Sequence, residues 1–156
     1  MGSAAQQGRT GALNDAAAND GWTLVTQQTA EWNAEKAQQI VQSVIDSGES
    51  FNVIYAENDD MAKGAVAALD KANIPHGVGK DVIVMGFDCN KWALEELLNQ
   101  NWNYDGQCNP FQASYIDDII KKIEAGETIS EKTIIMDEKG FDASTITQAD
   151  VHQYGI

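Results

Sequence analysis

Strand-like and helix-like segments alternate along the whole of this chain, joined by short links, and nothing else in the sequence constrains its fold as strongly. The clearest strand covers 81–87. There Val82-Ile83-Val84-Met85 is an unbroken apolar run with no polar alternation. Such a run suits a strand covered on both faces. Helical spacing flanks it on both sides. Met61, Ala65, Ala68 and Leu69 share one face over 60–73, and Leu94, Leu97 and Leu98 share one over 90–99. Upstream, Ser3 caps a first helix with Leu13, Ala16 and Ala17 inward, and Gly21 stops it. Trp22 to Val25 reads as a strand. A helix over 33–47 carries Ala37, Ile40, Val41, Val44 and Ile45, and 51–56 reads as a second strand. Downstream, 104–107 predicts a weak strand. Pro110 opens a helix with Ile116, Ile119, Ile120 and Ile123, which Gly126 ends. Thr133 to Met136 reads as a last strand and 147–153 as a terminal helical turn. This order predicts an α/β chain, a three-layer α/β/α sandwich around a parallel sheet.

Charge narrows the partners. Twenty-four acids against ten bases leave a net charge of -14. A surface that acidic repels phosphate backbones, which argues against nucleic acid. Met1 to Ala5 lacks the basic segment and apolar core of a secretory leader, so no signal sequence is read here. His76 and His152 stand alone, without the spacing that would join them to the cysteines around a metal. Gly77-Val78-Gly79-Lys80 precedes a strand, whereas a phosphate loop follows one. Asp59-Asp60 and Glu95-Glu96 are helix neighbours that point different ways. No serine or cysteine nucleophile pairs with a histidine, so neither catalysis nor a cofactor is implied.

In open α/β sheets, ligands sit at the carboxyl ends of the strands. Those ends carry Trp32, Asn58, Asp88 and Gln107. Carboxylates and side-chain amides bond hydroxyls that both donate and accept, and flat rings stack on the C–H faces of sugars. Asn58 and Asp59 can equally cap the next helix. Four such ends in step favour a polyol pocket. Cys89 and Cys108 each lie one residue beyond a candidate contact. A disulfide between them would tie two rim loops and stabilise by roughly 3 kcal/mol. Two free thiols are the alternative. Trp92 and Trp102, which flank the third of these later helices, read as packing residues.

"IYAENDDMAKGAVAAL" followed by "DVIVMGFD" resembles the second lobe of type I periplasmic sugar-binding proteins, especially ribose, galactose and galactofuranose binders. "QQTAEWNAEKA" and "GQCNPFQASYIDDIIKKIEAGE" resemble the flanking segments. "RTGAL" resembles the Arg-x-x-Gly-Phe element of the lobe's first helix, with Ala12 and Leu13 at the Gly-Phe positions. The likeness covers nearly the whole chain. It implies a Rossmann-like parallel sheet, a single lobe of the periplasmic-binding-protein-like I fold, and a non-catalytic receptor. Such a receptor hands a monosaccharide to the membrane permease of an ABC importer at the periplasmic or extracellular face. It implies that Trp32 stacks on the sugar and that Asn58, Asp88, Gln107 and Arg9 bond it.

The resemblance also implies that 1–156 is the C-terminal lobe. The helix over 110–126 is one the family lends to the first lobe. The family's central strand before the first helix is absent here. An unfilled slot predicts a swapped or associated homodimer, a separately supplied N-terminal lobe, or a rearranged sheet. The effector domain of a lactose-repressor-type regulator shares the fold, and so does a sugar sensor for chemotaxis. A flavodoxin-like enzyme is a third alternative.

Overall fold

The computed structural model describes residues 2–156, and among them it forms six helices and four strands. In chain order these are α1 (Ala4–Asp20), α2 (Ala34–Asp46), β1 (Val53–Tyr55), α3 (Asp59–Lys71) and β2 (Ile83–Asp88). Then follow α4 (Lys91–Leu98), β3 (Tyr104–Gln107), α5 (Ala113–Glu124), β4 (Gly140–Asp142) and α6 (Gln148–Tyr154).

Local chemistry sets the helix ends. Ser3 accepts from the Gln6 N–H at 3.2 Å, and Gly21 closes α1 in the left-handed region at φ 75°. Asn33 accepts from the Lys36 N–H at 2.9 Å. Thr147 and Asp150 form a reciprocal capping box on α6.

The sheet has the order β1-β2-β3-β4. β1, β2 and β3 are parallel, with Ile54 opposite Val84 and Asp88 opposite Gln107. Each step moves toward the same edge, so right-handed crossovers put α3 and α4 on one face. Val82 and Val84 point into that face and are buried. Leu69, Leu94, Leu97, Trp102 and Val151 complete the core beneath it. Trp92 and Trp102 meet edge to face, with centroids 5.8 Å apart. α2 lies along α3. Gly64 permits this, because a Cβ there would come within 2.0 Å of the Ala34 carbonyl oxygen. The opposite sheet face is thinly covered. α1 reaches it near the strand ends, while Ile83 remains 41% exposed.

Three sequence expectations change. Trp22 to Val25 has no ladder partner and is not a strand. A cleft of about 460 Å³ separates it from β1, walled by Leu13, Leu24, Ile40, Val44 and Tyr55 among others. Thr133 to Met136 is also unpaired. The place beside β3 is taken by Gly140 to Asp142, which runs antiparallel and puts Phe141 opposite Asp105. The sheet is therefore mixed at that edge, not wholly parallel. α5 has no buried residue; Ile116, Ile120 and Ile123 are exposed and Ile119 is half-buried.

Candidate binding site

The carboxyl ends of β1, β2 and β3 form a polar rim. Arg9, from α1, anchors it. Its guanidinium pairs with the Asp88 carboxylate at 3.2 Å and bonds the Glu57 carbonyl oxygen. It also lies over the Phe87 ring, 4.6 Å from the centroid. Tyr55 meets Phe87 edge to face and donates to the Arg9 carbonyl at 3.2 Å. Thr10 bonds the Glu57 carboxylate. These contacts hold the arginine fork in one position.

Asp88 sits at the end of β2 with φ 112°, and Cys89 follows at φ 59°. Two successive non-glycine residues in that region are strained, and such strain concentrates where a side chain must be aimed. Burial raises the Asp88 pKa, and the Arg9 charge opposes that rise. Burial also raises the Tyr55 pKa, helped by the Glu57 carboxylate.

The remaining candidates are partly engaged. Asn58 is buried and caps α3, its Oδ1 accepting from the Met61 N–H at 2.9 Å. The capping reading therefore holds, and only the amide NH₂ is left for another partner. Gln107 lies opposite Asp88 in the ladder. Its Oε1 accepts from the Lys139 N–H at 3.2 Å, which leaves its NH₂ free to turn outward. Trp32 occupies a left-handed turn at φ 61° before α2, stays 37% exposed, and lines the cleft beside β1 together with Glu57. Arg9 and Asp88 are thus brought into contact, Gln107 stands beside Asp88, Asn58 follows the Glu57 that Arg9 holds, and Trp32 is on the adjoining wall.

The expected disulfide does not form. Both cysteines are free, Cys89 buried and Cys108 exposed. The Cys89 thiol turns inward toward Asp105 Oδ1 at 3.8 Å, away from the rim loop that carries Cys108. Burial pushes its pKa up, and the nearby carboxylates of Asp105 and Asp59 add to that.

Sequence reading missed the layer beneath the rim. Asp59 and Asp105 are both fully buried. Asp59 Oδ2 accepts from the Asn90 N–H at 2.8 Å and from its side-chain amide at 3.1 Å. The other oxygen of Asp59 and Oδ2 of Asp105 have no conventional donor among the described residues. A proton on one carboxyl would supply the missing donor, and the larger upward shift of Asp105 puts it there. Burial, and then the Asp59 charge, push Asp105 up to about 9. Burial raises Asp59 to about 6, against the pull of the Asn90 and Asp105 hydrogen bonds. The pair ties the start of α3 to β3 and to the start of α4, directly behind Asp88. A charged residue inside a short strand, the Asp105 of "YDGQ", was its one visible signal.

Comparison with known proteins shows what the chain is similar to. Residues 1–125 match the family described as periplasmic binding protein domain. The fructose import binding protein of Bifidobacterium longum is 30% identical over 128 residues, covering 81% of this chain and 38% of that protein. The ribose import binding protein of Bacillus subtilis is 31% identical over 77 residues, covering 49% of this chain and 23% of that one. Among solved structures, the periplasmic binding protein of the arabinose ABC transporter from Shewanella sp. ANA-3 superposes with a TM-score of 0.82. That match covers 93% of this chain and 48% of the other at 22% identity, a likeness of fold. The solute-binding protein of Actinobacillus succinogenes with bound D-allose gives a TM-score of 0.77 at 25% identity, covering 96% and 50%. The chain spans half or less of the length of each of these proteins. With its parallel core, its polar strand-end rim and a family match over residues 1–125, the chain belongs to the periplasmic binding protein domain family.

Proposed function

We propose that this chain is the C-terminal lobe of a receptor that binds a monosaccharide and delivers it to the permease of an ABC importer. The observation that carries the reading is the Arg9–Asp88 pair, held over Phe87 at the strand-end rim. Asp88 keeps one carboxylate oxygen for a hydroxyl, Arg9 offers its remaining N–H groups, and the Asn58 and Gln107 amides add donors. Trp32 supplies the flat apolar face that a sugar ring needs. None of these groups is paired with a nucleophile or poised to cleave a bond, which suits recognition without turnover.

Relatives named as fructose and ribose import binding proteins support the transport role. A neighbour with bound D-allose supports the ligand class. A second lobe facing this rim completes the site, and closure around the ligand traps it. The receptor works at the periplasmic or extracellular face of the membrane.

A thermal-shift screen with D-ribose, D-fructose, D-allose, D-galactose and L-arabinose tests the reading. The cognate sugar stabilises the fold by mass action, by about 2.7 kcal/mol when present at 100 times its Kd. Asp88→Ala should abolish that shift. The proposal fails if no sugar moves the transition at tens of millimolar, or if Asp88→Ala responds as the parent does.

A further inference from the structure

Behind Asp88, the carboxyl pair of Asp59 and Asp105 is tied to all three strand ends of the rim. Asp59 opens α3 directly after Asn58, and its Oδ2 holds the backbone N–H and the side-chain amide of Asn90, at 2.8 and 3.1 Å. Asp105 lies in β3, two residues before Gln107, and receives the Cys89 thiol at 3.8 Å. Cys89 and Asn90 are the two residues that follow Asp88. Gly86, opposite Asp105 in the ladder, leaves the space for the pair. A Cβ there would stand 2.7 Å from Asp59 Oδ1 and 3.0 Å from the Trp102 ring. Both carboxyls are fully buried, and Asp59 Oδ1 and Asp105 Oδ2 lack a donor among the described residues. Two carboxyls so placed tolerate each other only while one of them is protonated.

Loss of that proton has one outlet. Asp105 cannot retreat, because β3 is paired on both sides, with β2 and with β4. The titratable groups that face it are Asp59 from α3, and Cys89 and Asp88 from the end of β2, while β4 puts Phe141 opposite. Asp60 acts on Asp88, and Arg9 is engaged with Asp88 at the rim. A second buried negative charge therefore drives Asp59 away and takes its oxygen from Asn90. The Asp88–Cys89 turn, at φ 112° and 59°, persists only while its surroundings hold it. Freed at Asn90, it relaxes and carries the Asp88 carboxylate off Arg9.

We propose that Asp59 and Asp105 are positioning residues for the rim: with one proton on the pair they hold Asp88 against Arg9 in the geometry that takes a sugar hydroxyl, and loss of that proton in alkali weakens sugar binding. This deepens the receptor reading and rests on it. Burial and the Asp59 charge push Asp105 up to about 9, which sets where the support fails. Affinity is level between pH 7 and 8 and falls as pH rises through that value.

Nuclear magnetic resonance of the full chain from pH 7 to 9.5 tests this, with circular dichroism confirming that the fold persists. Without sugar, the Asp105 carboxyl carbon should titrate, and the Arg9 Nε–H and the Asp88 and Asn90 amides should move with the same midpoint. In Asp105→Asn those three signals should stay level. D-ribose, D-fructose, D-allose, D-galactose and L-arabinose are then titrated at pH 7.5 and 9.5. The Kd of the sugar that binds should rise by about fourfold in the parent, the limit when only the protonated form binds, and stay constant in Asp105→Asn. Rim signals that ignore the Asp105 titration overturn the proposal. So does a parent Kd that is level across the window, or an Asp105→Asn variant that keeps the parent's profile. Should that variant not fold, the parent's midpoints and Kd values decide alone. If none of the five sugars binds at pH 7.5, the receptor reading fails and the affinity claim with it, while the sugar-free signals still decide whether the pair supports Asp88.

Discussion

The Asp59–Asp105 pair predicts an unusual pH dependence, and Asp105→Asn isolates it. In the folded chain Asp105 holds its proton up to about pH 9. In the unfolded chain an aspartate releases its proton near pH 3.9. Folding therefore takes up a proton at every pH between those limits, and stability falls as pH rises through that window. One proton corresponds to about 1.4 kcal/mol per pH unit, or about 4 kcal/mol between pH 4 and pH 7. Asp59 adds to the slope only below about pH 6. The cleanest window is pH 7.5 to 8.5, above ordinary histidine titration.

Urea unfolding followed by tryptophan fluorescence should show the parent losing about 1.4 kcal/mol across that unit. With a urea slope near 2 kcal/mol/M, the midpoint moves by roughly 0.7 M. In Asp105→Asn the side-chain amide can donate to the free Asp59 oxygen and still accept from Cys89, without a titrating proton. Its midpoint should keep only the small decline due to the buried Cys89 thiol, a few tenths of a kcal/mol across the window, and stand higher than the parent's at pH 8.5. A parent that is level from pH 7.5 to 8.5 would refute the reasoning. A variant that keeps the parent's slope would refute it equally.

Two further outcomes follow from packing and exposure. Gly64→Ala should cost 2 kcal/mol or more, at the upper end of the roughly 1–3 kcal/mol typical of overpacking, because a Cβ meets the Ala34 backbone at 2.0 Å and must separate α2 from α3. Chemical denaturation measures this, and a variant within about 0.5 kcal/mol of the parent counts against the close approach. Of the two thiols, Cys108 should react at once with a disulfide reagent, while Cys89 reacts only on unfolding. Two fast thiols, or none, would contradict the placement of Cys89.

Much of the fold was legible because the deciding physics is local. Ser3 and Asn58 cap where their side chains predict, and the Val82–Met85 run became the second strand of the sheet. The misplaced strands share one cause. Trp22–Val25 and Thr133–Met136 have strand composition, but strands exist only with a neighbour, and neighbours are set by the tertiary arrangement. Gly140-Phe141-Asp142 became a strand because β3 offered it an edge, despite weak propensity. At the rim, residue types at strand ends pointed to Trp32, Asn58, Asp88 and Gln107, while Arg9, on α1, came only from the family resemblance. They could not reveal that Cys89 points inward. The buried proton under the rim depends on two residues 46 positions apart in the sequence, and no local pattern joins them.

Side-chain nuclear magnetic resonance during sugar titration tests the receptor reading most directly. The Trp32 indole N–H, the Asn58 and Gln107 amides and the Arg9 Nε–H report from the proposed contact groups themselves. One monosaccharide should move these signals together and saturably, even if a lone lobe binds weakly. Shifts confined to other parts of the chain, or none with any sugar, would contradict a polyol site at the ends of these strands.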